Sequence, residues 1–228
     1  HQRIYRVLPQ GPLADIFVID MRSYRGPNSA DLQTIESAET DFIGRPQMAW
    51  LLQGLQQSKA TWKIIAADMP IGLFVPDGKD AEGRTQWEAI ANGEHGMPKG
   101  RELEMARLLK GIKDTKIKNV VWLTADVHYT AAHHYSPERA QFKDFDPFWE
   151  FVSGPLNARA SAPHAADKTI RHDVVLHKAP PKPNSAPSEG YQFFGQVDID
   201  HQSKALTVVL KDMQGASLYT HTLAPQRA

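Results

Sequence analysis

The 228 residues are enough for one large domain or two small ones with a sizeable buried core. Lysine plus arginine and aspartate plus glutamate each number 26, so the formal charge is zero and the basic excess of a nucleic-acid-coating or membrane-surface protein is missing. There is no cysteine, which excludes disulfides and thiolate metal sites within the chain, and no apolar stretch approaches the roughly 20 residues that span a bilayer.

The opening His1-Gln2-Arg3-Ile4-Tyr5-Arg6 carries neither an initiator Met nor the apolar core of a signal peptide, so the sequence reads as a processed chain or a fragment. Ile16-Phe17-Val18-Ile19 is a short apolar run suited to a strand buried on both faces. Asp20 closes it, followed by Arg22, Tyr24, Arg25 and the turn signal Gly26-Pro27-Asn28. Residues 29–41 are polar and predict a surface connection. A helix follows, with Pro46 tolerated in its first turn and Met48, Leu51, Leu52 and Leu55 on one face. Trp62 to Ala67 predicts a second buried strand, ended by Asp68 and Pro70. Residues 71–97, rich in Gly, Asp and Glu, form a connection long enough to be either functional or disordered. A second helix sets Met105, Leu108, Leu109 and Ile112 on one face, its early Glu102 and Glu104 and late Lys110 and Lys113 complementing the helix dipole. Val120-Val121-Trp122-Leu123 is a third buried strand, and it delivers Asp126 and His128 just beyond its end.

This alternation predicts an α/β layer on a largely parallel sheet. All three strands end in Asp (Asp20, Asp68 and Asp126), and ligands in open α/β sheets bind outside the carboxyl ends of the strands. Three acids at one edge repel one another unless something positive sits among them; a divalent metal, Arg22 or Arg25 would each serve. Past Tyr135 the period changes. Phe148 to Val152 predicts a short strand closed by Ser153-Gly154-Pro155. Residues 155–190 carry six prolines and predict an extended loop. Tyr191–Asp200, Ala205–Lys211 and Ser217–Leu223 alternate apolar and polar, as in an antiparallel meander with one wet face.

On an extended segment, side chains two apart point to the same side, so Asp126 and His128 can converge on one cation, their oxygen and nitrogen donors suiting Fe, Mn, Zn or Ca. The plainer reading is an Asp–His hydrogen bond that ties a loop down. His133 and His134 read as the polar start of a loop or helix, with phosphate contact as the functional alternative. Asp20-x-Arg22 reads first as a structural ion pair, and Arg22 or Arg25 as an oxyanion clamp second, because arginine bonds phosphate in a bidentate manner. Glu94 and His95 in a Gly-flanked loop suit a lid or simply a solvated turn. No nucleophile elbow, P-loop, zincin or dinucleotide motif is present.

Four separated blocks, Ile19–Asn28 (IDMRSYRGPN), Gly100–Leu109 (GREL…ARLL), Asn119–His128 (NVVWLTADVH) and Phe148–Leu156 (FWEFVSGPL), together resemble the carboxyl-terminal half of PhoD-type alkaline phosphatases and phosphodiesterases. The resemblance implies part of an α/β/β/α metallophosphoesterase sandwich with a C-terminal β meander. It divides the chain into residues 1–154 (the carboxyl-terminal half of the α/β domain), a Pro-rich region at 155–190, and a meander at 191–228 packed on the same domain. It also implies hydrolysis of phosphate mono- or diesters at a site containing Fe and Ca, and export to the periplasm or beyond, usually by the twin-arginine route. The family's late G-D-x-H block falls on Ala125-Asp126-Val127-His128, which implies metal or phosphate contact for Asp126 and His128. Its D-x-R block falls on Asp20-Met21-Arg22. The chain lacks the Cys and the Asp- and Asn-bearing blocks that supply most ligands in the family's amino-terminal half. The expectation is therefore a chain inactive without that half as partner, or alternatively a catalytically silent binding or assembly module of the same fold.

Overall fold

The computed structural model describes residues 3–226; His1, Gln2, Arg227 and Ala228 lie outside it. Among the described residues twelve strands and two α-helices follow one another as β1 (Arg6–Gln10), β2 (Ala14–Val18), α1 (Arg45–Gln57), β3 (Trp62–Ala66), β4 (Pro76–Lys79), β5 (Thr85–Trp87), α2 (Glu102–Asp114), β6 (Val120–Thr124), β7 (Thr130–Tyr135), β8 (Phe148–Val152), β9 (His172–Lys178), β10 (Phe193–Ile199), β11 (Leu206–Asp212) and β12 (Ser217–Leu223). A seven-stranded sheet has the order β1-β2-β3-β6-β8-β7-β9, and β10-β11-β12 form a separate three-stranded sheet. Strands β2, β3, β6 and β8 run parallel, while β1, β7 and β9 pair antiparallel at the flanks.

The apolar runs are buried on both faces, as their lack of alternation predicts. Phe17, Ile65 and Trp122 face α1 and α2, packing with Met48, Leu51, Leu55, Met105, Leu108 and Ile112. Ile64, Val121 and Phe151 face the other way, against Leu206, Val208 and Leu210 of the meander. Helices, large sheet and small sheet therefore stack as three layers.

Several expectations change here. The 71–97 connection is ordered: it contains the β4–β5 hairpin, held to the preceding loop by a bridge from Ser29 to Trp87. The 155–190 region is more than a loop, because His172–Lys178 adds β9 to the edge of the large sheet. His133 and His134 start neither loop nor helix; they lie in β7, a strand that sequence periodicity does not reveal because TAAHHY has almost no β-branched content. Glu102 and Glu104 do sit in the first turn of α2, but both are buried and serve neighbouring loops. Glu104 accepts the backbone N–H groups of Phe42, Ile43 and Gly44 at 2.8–2.9 Å, which fixes the entry to α1.

Candidate active site

The pairings Val18↔Ala66 and Ala66↔Leu123 set the carboxyl ends of β2, β3 and β6 level, so the segments bearing Asp20, Asp68 and Asp126 leave the sheet side by side. Ile19 N donates to Ala66 O at 3.0 Å and Ala125 N to Asp68 O at 2.7 Å, carrying the register past the strands.

Asp20 is a turn former. Its Oδ1 accepts the backbone N–H groups of Arg22 and Ser23, both at 2.9 Å, and its backbone is clamped by the buried Gln47 amide. These N–H groups hold the carboxyl below its ordinary value although burial works against it. Among the described residues no ion pair joins Asp20 to the Arg22 guanidinium; Oδ1 is engaged by the two backbone N–H groups, and Oδ2 is buried without a hydrogen-bond partner. The turn aims Arg22 at the other acids. Its Nε donates to Asp68 Oδ2 at 2.5 Å, its Nη1 to Glu88 Oε1 at 2.5 Å and its Nη2 to Asp126 Oδ1 at 3.0 Å. Arg22 is thus the positive charge that the acid-lined edge requires. Burial alone would lower its pKa, but the bonds to Glu88 and Asp68 raise it well above the usual arginine value.

Arg25 serves the same neighbourhood from behind, donating to Asn28 Oδ1 and to Glu88 O (2.8 Å). Arg101, fully buried, donates to the carbonyls of Trp87 and Glu88 and to those of Gly26 and Pro27, with its Nε 3.7 Å from Asp31. It fastens the loop after Arg22 to the one carrying Glu88. Glu88 itself escaped sequence reasoning, since a lone acid in a polar connection gives no signal.

Asp126 and His128 are not on an extended segment. Strand β6 stops at Thr124, Val127 N donates to Ala125 O at 2.8 Å, and both residues have positive φ (64° and 62°). Around Asp126 this is a three-residue γ-turn, a strained conformation of the kind that gathers at functional sites. Val127 is the anchor, buried among Leu73, Tyr129 and Val152, so the flanking side chains are turned off the core. Asp126 is half-buried and His128 exposed. Burial raises the Asp126 carboxyl, Asp68 and Glu88 push the same way, and Arg22 opposes them.

A further histidine joins the edge from the proline-rich region. Ser161 N donates to His128 O at 2.9 Å, His164 N to the Tyr129 hydroxyl at 3.4 Å and Phe74 N to Ala165 O at 2.9 Å, which lays residues 161–165 across the turn. Burial lowers the His164 imidazole even though the Asp126 charge raises it. His133, by contrast, stays away from the edge. It is 1% exposed in β7, with Nδ1 2.9 Å from Glu150 Oε2. The same carboxylate accepts the Tyr135 hydroxyl at 2.9 Å and, through Oε1, Ile71 N at 3.0 Å; Gly72 N donates to that hydroxyl at 2.9 Å. The pair supports the turn that follows Asp68 rather than facing a phosphate.

For a metal, the donor chemistry is of the expected kind, and Asp68 Oδ1 is a buried acceptor without a hydrogen-bond partner among the described residues. The set is nevertheless incomplete. No group of three or more His, Asp or Glu side chains among the described residues converges closely enough to hold an ion, and Asp126 Oδ1 and Asp68 Oδ2 are taken by Arg22. These residues alone do not fit a bound metal.

A family model for PhoD-like phosphatases matches residues 1–210. The chain belongs to that family. It is 28% identical over 188 residues to alkaline phosphatase D of Bacillus subtilis (strain 168), an alignment covering 78% of this chain and 30% of that protein. A solved structure of PhoD superimposes with a TM-score of 0.53 at 18% identity, covering 100% of this chain and 45% of that one; this likeness is one of fold. The chain thus spans less than half the length of the relatives it matches.

Proposed function

We propose that this chain supplies one wall of a metal-dependent phosphoesterase site acting on phosphate mono- or diesters, and that a segment outside these 228 residues, corresponding to the family's amino-terminal half, supplies the other. The observation that carries the reading is the level edge at which Arg22 joins Asp68, Glu88 and Asp126, with the exposed His128 two residues beyond Asp126 in the same turn, on a fold shared with PhoD. In this reading Asp126 and His128 are donors toward an Fe- or Ca-containing centre, and Arg22 is the cation for the phosphoryl oxygens. His164 is an added polar group at the rim, and His133 has no direct part. Export to the periplasm or beyond belongs to the same proposal and rests on the family resemblance. No helix among the described residues is long and apolar enough to cross a membrane.

Two measurements test it. The 228 residues alone should hydrolyse an aryl phosphate negligibly, and full-rate turnover by them would refute the two-wall arrangement. In the complete protein, Asp126→Asn should cut turnover by ~100-fold or more and reduce metal content, since a metal ligand is an all-or-none contribution to the charge that polarises phosphate. Unchanged turnover would remove Asp126 from the site. A second reading, a catalytically silent binding or assembly module, is favoured by the way Arg22 satisfies acids that a metal would otherwise claim. Elemental analysis of the complete protein separates the two, because stoichiometric Fe or Ca excludes the silent module.

A further inference from the structure

Glu150 lies in β8, between β6 and β7 in the large sheet, and is fully buried. A carboxylate is costly there, and an apolar side chain of similar volume would serve cohesion as well or better. What the carboxylate adds is direction. Its Oε1 accepts Ile71 N at 3.0 Å, and its Oε2 accepts the Tyr135 hydroxyl and faces His133 Nδ1, both at 2.9 Å. The hydroxyl in turn accepts Gly72 N at 2.9 Å, so two consecutive peptides of the loop after β3 are fixed by one network. Buried His172 stacks on His133, ring centroids 4.1 Å apart, and keeps that ring in place. Gly72 is pressed against the same surface: a Cβ there would lie 2.9 Å from His172 Nδ1 and from Ile170 O.

Two parts of the candidate site depend on these anchors. Asp68 stands three residues before Ile71, and its own carbonyl accepts Ala125 N at 2.7 Å, so it is pinned on both sides. Past the anchor, Gly72 O accepts Asp167 N at 2.9 Å, Leu73 bridges to Ala166, and Phe74 N donates to Ala165 O at 2.9 Å. That ladder places residues 161–167, which carry His164 across the Asp126–His128 turn. We propose that Glu150, Tyr135 and His133 are positioning residues: through Ile71 and Gly72 they hold Asp68 and the His164 segment in fixed relation to Asp126. The consequence for phosphoryl transfer rests on the phosphoesterase reading; the anchoring does not. A shift of about 1 Å in a reacting group costs on the order of a hundredfold in rate, so a hydroxyl away from the edge controls turnover.

The experiment is Tyr135→Phe in the complete protein, which removes one hydroxyl and leaves Gly72 N without its partner. With an aryl phosphate, well below the melting temperature, kcat per folded molecule should fall about tenfold while KM stays within about twofold. The amides of residues 69–74 and 161–167 should exchange with deuterium about tenfold faster, those of α1 and α2 at the native rate. A merely structural role leaves kcat per folded molecule unchanged, and that result overturns the proposal. A fall in kcat without faster exchange in those two segments overturns it as well. Should Tyr135→Phe fail to fold, Glu150→Gln decides by the same two readings. It keeps the volume but offers one acceptor oxygen to three donors, so kcat and protection should drop in the same way, and native values in both sink the idea. Faster local exchange with no ester hydrolysis by the native complete protein would leave the anchoring standing and remove the phosphoesterase reading. Hydrolysis with unmoved kcat in the variant would do the reverse.

Discussion

Glu104 and Glu102 stand two apart in α2 and do different work. Three buried backbone N–H groups converge on Glu104, from the three residues that precede α1. Replacing it with Ala leaves all three without partners in the interior. At about 1–3 kcal/mol for each unpaired buried group, partly offset by water entry, Glu104→Ala should cost on the order of 3 kcal/mol in chemical denaturation. Glu102 is less well served. Its Oε2 accepts from Asn92 and Lys99 at 3.2 Å, while Oε1 is buried and unpartnered among the described residues. Burial first, then the neighbouring Asp167 charge, pushes its pKa up from 4.5 to about 9. Between these two values the folded chain keeps a proton that the unfolded chain has released, so stability falls as pH rises through that window. Asp31, raised to about 6 mainly by burial, adds to the fall at its acidic end. Glu102→Gln should therefore flatten the stability–pH profile from about pH 5 to about pH 9, measured as urea midpoints across that range. A slope equal to that of the native chain would assign the titration elsewhere.

Among the elements, the helices and parallel strands are read well from sequence because their signals are local. The i, i+3, i+4, i+7 apolar positions of α1 and α2 are all buried or packed on the core, and Ser217–Leu223 is β12 to the residue. The missed strands β1, β7 and β9 are the three members of the large sheet that pair only antiparallel; none alternates regularly, and the longest apolar run among them is Val174-Val175-Leu176. Their existence depends on a neighbour to pair with, which no local window contains. Close packing adds a constraint of the same kind at Gly54, in the middle of α1. A Cβ there would lie 2.7 Å from the ring of Phe17 on β2. Helix propensity favours Ala over Gly by about 1 kcal/mol, while overpacking against a core ring costs about 1–3 kcal/mol. Gly54→Ala should therefore lower the melting temperature, and a rise would mean that Phe17 yields freely.

For the molecule as a whole, the meander is structural. Leu206, Val208 and Leu210 are all at most 1% exposed and close the face of the large sheet opposite the helices. Val208→Asp buries an unpaired charge between two sheets and should cost about 4 kcal/mol or more, seen as loss of a cooperative unfolding transition. A variant that melts like the native chain would show the small sheet to be detachable. The sequence by itself determined the α/β alternation, the strand-end acids and the motif blocks of a PhoD-like phosphatase, because hydrophobic periodicity and short motifs are written in consecutive residues. It also narrowed the missing positive charge to a metal, Arg22 or Arg25. Only the tertiary structure decided that Arg22 takes that place, that Glu88 and His164 join the edge, that Asp126 and His128 sit in a strained turn, and that His133 withdraws to Glu150. Those are meetings of residues 22, 68, 88, 126 and 164, and 133 with 150, brought about by register and loop packing, which no spacing along the chain encodes.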